Sequence, residues 1–344
     1  MPKKLTAEER DQRADEAGFD PDKFKLDGER VLRELEPSTC RDYNGFIYQK
    51  LHKHVPLSLE QHQRDYVMIK HFKNLIQQLW QNDWYEFPYP LYRVYLSVLL
   101  KMCMYSSARV GEYVESTGRA GSGRGLYVPE GLTFLVIHNG KGQSEIIVRP
   151  KRDAKNMSKR KTSSDPRHPM QEDIETLPLY LNPVLEPLAI YLARGLFRDF
   201  KTVDEILALE PPPGEEYEIA LGHLDEPKDI LKQPVAWFPA VADINGKGTP
   251  FFEKISDEGP TGEILTASWL DKELGKLGRR AGYDKLISIH DMCAETLVRT
   301  NENGYGIEEL MWFAGHGGNP RIFFESYMSS TSSVQGVPNI LKDS

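Results

Sequence analysis

Cysteine is scarce in this chain of 344 residues: there are three, Cys40, Cys103 and Cys293. An odd number without paired spacing excludes a disulfide framework and a cysteine-based zinc site, and it fits a reducing compartment. Long apolar runs are also lacking. The best candidate, LYRVYLSVLLKMCMY, holds Arg93 and Lys101, so it reads as a buried helix and no membrane partner is expected. The first residues, MPKKLTAEERDQRADEAG, are charged and contain no hydrophobic segment of the signal-peptide kind. His52, His54, His62 and His71 have no acidic or cysteine partner at metal spacing, so a zinc site is not expected. No internal repeat is visible. The expectation is a soluble, intracellular protein. The net charge of −8 argues against coating nucleic acid by bulk charge, and leaves room for a local basic groove.

Hydrophobic residues make up 40% and aromatics 10%, enough for a substantial core. At roughly 150 residues per domain the length suggests two domains. Residues 1–29 alternate acids and bases and read as a charged tail. Residues 30–88 read as a small helical domain, in which Tyr66, Ile69, Phe72, Leu75, Ile76 and Leu79 fall at helical spacing. The prolines of EFPYP (86–90) suggest a linker, and residues 90–344 read as a larger domain. In it, a helix from Leu91 to about Glu115 is followed by β-type runs at 131–137, 145–150 and 176–181. Helices are expected in PVLEPLAIYLARGLF and over 266–281, about 288–300 and 307–315. The fold class is therefore mainly α with a small antiparallel β-sheet.

Charge is segregated along the chain. Residues 204–232 hold nine acids against two lysines and read as an exposed acidic insertion. Residues 139–168 hold nine basic residues against three acids. This basic stretch reads as a solvated loop, as a phosphate-contacting hairpin, or as a nuclear import signal around Lys159, Arg160 and Lys161.

The C-terminal stretch ISIHDMCAETLVRTNENGYGIEELMWFAGHGGNPRIFFESYM offers His290 opening a helix, the pair Gly315-His316 after a second helix, and Tyr327 beyond. Upstream, YSSARVGEYVES supplies Arg109 followed by Gly111 and Glu112. In this order, with a hairpin and a lysine-bearing loop between, the chain resembles the tyrosine recombinase (phage integrase) family. It is most similar to the fungal branch that includes the captain recombinases of Starship transposons. LEPSTCRDY, PVLEPLAIYLARGLF, SIHDMCAE, GIEELMWFAGH and FFESYM carry the resemblance across residues 30–336.

The resemblance implies a two-domain clamp on double-stranded DNA, a helical core-binding domain and a catalytic domain, able to act as a homo-oligomer. The implied chemistry is strand breakage and rejoining through a 3′-phosphotyrosyl intermediate, without metal or cofactor. It also implies a mobile-element origin and a nuclear location. Arg109 matches the first phosphate-binding arginine, His290 the first position of a His-x-x-Arg element, His316 the Gly-His histidine, and Tyr327 the nucleophile. Lys155 matches the general-acid lysine, with Lys151 and Lys141 as competitors. Lys141, Lys151, Arg152, Lys159, Arg160 and Lys161 are the DNA-contact candidates. These residue types suit the reaction. A phenol with pKa near about 10 needs a neighbour to take its proton, and guanidiniums hold the extra charge of a pentacoordinate phosphorane.

One position departs from the pattern. Cys293 stands where the second arginine belongs, and a thiol offers no fork to a phosphate. Arg299 lies about 900° of helical rotation beyond His290 and faces elsewhere. The alternative is thus a catalytically impaired relic, or a domesticated module, that binds DNA or protein without cutting. Plainer roles exist for each residue. Arg109 could be a buried arginine paired with Glu112 or Glu115, and His290 could cap its helix. His316 could sit at a helix C-terminus, and Tyr327 in an aromatic core.

Overall fold

A computed structural model of the chain describes residues 67–152, 168–173, 176–222, 248–257 and 259–314. The chain divides into two compact units, Met1–Arg64 and Asp65–Ser344. The expected tail and most of the 30–88 helical segment lie outside the described residues, all of which belong to the second unit.

Helix α1 (Ile69–Gln77) buries Phe72, Leu75 and Ile76 and continues into a wider turn, Gln78–Asn82, that buries Leu79. Its trailing carbonyls are satisfied by Arg93, whose guanidinium donates to the carbonyls of Leu79, Asp83 and Tyr85 at 2.8–3.1 Å. Helix α2 (Pro90–Ser106) opens with proline in its first turn, where a missing N–H costs nothing. Nearly every residue from Tyr95 to Met104 is buried, which makes α2 the central strut of the unit. It ends at Ser106 rather than near Glu115 because Ser107 turns left-handed, at φ 53°. A short 3₁₀ turn, Val110–Glu112, follows.

The expected hairpin forms. Strands β2 (Leu132–His138) and β3 (Ser144–Pro150) pair antiparallel from Leu132↔Pro150 to His138↔Ser144. In the turn, Asn139 Oδ1 accepts the backbone N–H groups of Lys141 and Gln143, and Gly142 takes φ 76°. Strand β1 (Tyr127–Val128) pairs instead with β6 (Thr249–Pro250). The four-stranded sheet runs β4-β3-β2-β5, with β4 at Met170–Gln171 and β5 at Tyr217–Glu218. A separate hairpin joins β7 (Glu253–Ser256) to β8 (Gly259–Ile264). Two expectations change here. The third β-type run, 176–181, forms a 3₁₀ turn at Leu179–Leu181 with Leu179 exposed, since Pro178 cannot donate to a ladder. The acidic stretch is not wholly an insertion: helix α4 (Val203–Leu207) and β5 lie in it, and β5 completes the sheet edge.

Helices α3 (Leu185–Ala193), α5 (Ala267–Arg280), α6 (Ile289–Glu302) and α7 (Ile307–Phe313) fall where the sequence predicts them. α6 packs against α2. Buried ion pairs join distant segments: Lys101 to Glu186 at 2.7 Å and Arg194 to Glu253 at 3.0 Å. The backbone N–H of Ile69 donates to Glu295, tying α1 to α6. Residues 69–82 thus share one core with α2 and α6. Among the described residues no helix is long and apolar enough to cross a membrane.

Candidate functional site

Where α2 ends, the left-handed turn at Ser107 throws Arg109 outward at the mouth of a cleft of about 550 Å³. Gly111 is small for a steric reason: a Cβ there would stand 2.9 Å from Ser116 Cβ. Glu112 is buried beneath and closes the turn, its Oε1 accepting the Arg109 backbone N–H at 3.2 Å. The next turn brings Arg119 to the same cleft. The opposite wall is the first turn of α6. Ser288 caps that helix, accepting the N–H of Asp291 at 3.3 Å. The capping role proposed for His290 therefore belongs to Ser288, and His290 is exposed and lines the cleft.

Two motifs far apart in sequence, Arg109-Val-Gly-Glu and His290-x-x-Cys293, thus meet in one concavity. Arg109 is exposed rather than buried, and the side-chain partner of Glu112 is Arg152. Glu115 accepts the N–H of Gly123. Cys293 is buried, its Sγ donating to the Ala108 carbonyl at 2.9 Å while its own carbonyl accepts from Ser107 Oγ at 3.3 Å. Burial, with help from Glu112 and against Arg152 and Arg109, pushes its thiol up to about 12. The group is a neutral thiol at physiological pH. Arg299 lies half-exposed on another face of α6 and pairs with Glu295 at 2.7 Å, so it does not stand in for position 293.

Arg152 is the largest correction among the DNA-contact candidates. It is completely buried. Its Nε donates to Glu112 Oε2 at 2.8 Å, and its Nη1 donates to the carbonyls of Ser106 at 2.9 Å and Phe313 at 2.7 Å. A side chain held in this way does not contact a DNA backbone. Lys151 and Lys141 are exposed, Lys141 in the β2–β3 turn. Lys155, Lys159, Arg160, Lys161, His316 and Tyr327 lie outside the described residues. Sequence reasoning passed over Arg119 and His168. His168 is buried with its ring edge-on to Phe313, centroids 5.0 Å apart. Among the described residues no cluster of His, Cys, Asp or Glu is arranged to hold a metal.

The cleft is lined by Arg109, Arg119 and His290, with the carboxylates of Glu112 and Asp271 also present, and its two guanidiniums could hold a tetrahedral oxyanion between them. No family model matches the chain, and no curated protein matches it in sequence. Solved structures do. The chain is similar to XerA recombinase, with 13% identity and a TM-score of 0.39 over 97% of this chain and 89% of that one. It is also similar to the Tn1549 transposon integrase in complex with transposon right end DNA, with 11% identity and a TM-score of 0.40 over 92% and 82%. The same integrase in complex with circular intermediate DNA gives 10% identity and a TM-score of 0.38 over 89% and 80%. Likeness of this degree does not carry an activity, ligand or partner from one protein to another.

Proposed function

We propose that this chain is a DNA strand-transfer protein of the tyrosine recombinase class, acting on double-stranded DNA. The observation that carries the reading is the meeting of Arg109 and His290 at one cleft, since these come from separate motifs of the resemblance. In this reading Arg109 and Arg119 hold the scissile phosphate while His290 donates to one of its oxygens. Tyr327 then attacks the phosphorus as its phenol proton passes to the second motif histidine, His316; a 3′-phosphotyrosyl bond forms, the P–O5′ bond breaks, and the 5′-oxygen leaves with a proton from a lysine. By the resemblance that lysine is Lys155, which lies outside the described residues, with Lys151 and Lys141 as its competitors. Assignment to the fungal captain branch, a mobile-element origin and a nuclear location rest on the motif resemblance alone.

Nicked suicide duplexes test the proposal. A covalent protein–DNA adduct is expected with the wild type, none with Tyr327→Phe, and about a hundredfold less with Arg109→Gln. An adduct that survives Tyr327→Phe sinks the assignment. Cys293 favours a second reading, because a neutral buried thiol leaves the cleft one guanidinium short of the family pattern. In that reading the protein binds duplex DNA with steep salt dependence and forms no adduct.

A further inference from the structure

Arg152 is a buried cation that the proposed chemistry does not use directly. It stands behind the cleft wall and holds three segments at once. Through Nε it fixes Glu112, whose other oxygen accepts the Arg109 backbone N–H. Through Nη1 it ties the end of α2 at Ser106 to the end of α7 at Phe313. The residue after Phe313, Ala314, lines the cleft and leads into Gly315-His316. Arg152 grips the same turn as Cys293, the helix position where the resemblance calls for an arginine: Arg152 donates to the Ser106 carbonyl, and Cys293 bonds to Ser107 and Ala108. Nη2 is buried and has no hydrogen-bond partner among the described residues, so the guanidinium is not spent wholly on structural bonds.

We infer that Arg152 is a positioning residue, which orients Arg109 through Glu112 and anchors the end of α7 through the Phe313 carbonyl. It also supplies, from the end of a strand, buried positive charge beside a helix position that carries cysteine. This rests on the cleft being the phosphate site proposed above. A single forked cation suits the task because one rigid guanidinium can bind a carboxylate and two carbonyls in fixed directions, which an ammonium cannot. Small displacements of a phosphate-holding arginine act on rate more than on binding of a long duplex, whose affinity is spread over many contacts.

The test uses the full chain, Arg152→Lys, and the double variant Arg152→Met/Glu112→Gln, which removes both charges so that neither is left buried alone. Three quantities are read: the near-ultraviolet circular dichroism, the dissociation constant for inorganic phosphate, and the rate of adduct formation on the suicide duplex. The double variant is expected to keep its dichroism and its duplex affinity. Its phosphate affinity and adduct rate should fall about tenfold, with Arg152→Lys in between. A folded double variant with wild-type phosphate affinity and adduct rate overturns the inference, because a purely structural role predicts that result. If the double variant does not fold, Arg152→Lys decides on the same two readouts, weakened phosphate binding supporting the inference and unchanged binding overturning it. Should the wild type form no adduct while its phosphate binding still depends on Arg152, the positioning role stands and the recombinase reading fails. A wild type that neither binds phosphate nor forms an adduct overturns both.

Discussion

Acid should destabilise this protein through His168. The imidazole is 6% exposed, and its Nε2 has no hydrogen-bond partner among the described residues. Burial, followed by the nearby Arg152 charge, lowers its pKa from 6.5 to about 3. The folded-state pKa lies below the unfolded one, so the unfolded chain binds the extra proton between these values. The stability contributed by keeping His168 neutral is complete above about pH 6.5 and is lost progressively as pH falls toward 3. With those two pKa values the loss at pH 5 is about 2 kcal/mol, and at pH 7 it is negligible. Urea titrations of wild type and His168→Phe between pH 7.5 and 5 measure it. Phenylalanine keeps a ring against Phe313 and removes the titration, while buried acids such as Glu186 and Glu253 contribute equally to both proteins. The wild type should lose about 2 kcal/mol more than the variant over this range. Parallel pH dependences would refute the argument, because they would mean that His168 gains or loses its proton as easily folded as unfolded.

Gly131, just before β2, should not accept a side chain. An alanine Cβ there would lie 2.1 Å from the Tyr127 carbonyl oxygen, which is backbone, so Gly131→Ala is expected to cost about 2–3 kcal/mol; a change below about 0.5 kcal/mol in denaturant unfolding contradicts the packing. Cys293→Arg should lower stability by at least about 3 kcal/mol and leave any adduct rate unimproved. Thermal melting and the suicide-duplex assay check the two halves separately, and a stable, more active variant counts against the account of the buried charges.

What was legible in the sequence depends on how far each signal reaches along the chain. The β2–β3 hairpin was legible because two short β-type runs close together in the chain are a local signal. Helices α5, α6 and α7 were legible from period and punctuation. The run 176–181 misled because apolar content alone does not separate a strand from a short turn, and Pro178 was the residue to weigh. Arg152 misled more instructively. Composition puts it among nine basic residues of one stretch, yet Val148, Pro150 and Arg152 are buried while Arg149 and Lys151 are not. Strand alternation carried two residues past Pro150 points Arg152 inward, and that signal was present in the sequence. Arg119 had no comparable signal, since only the three-dimensional path of the turns after α2 brings it to the cleft.

The cysteine at 293 and the arginine at 152 are best understood together. A guanidinium on α6 at position 293 would enter a region that already holds Arg152, whose carboxylate partner is Glu112. Buried charges persist when each has a partner, and Glu112 already gives one oxygen to Arg152 and the other to the Arg109 backbone. An added cation would therefore be left uncompensated, whereas a neutral thiol donating to the Ala108 carbonyl adds no charge to balance. The cleft thus keeps Arg109, Arg119 and His290 at its surface and a buried cation behind them. An arginine placed at 293 while Arg152 is still present would overload the site.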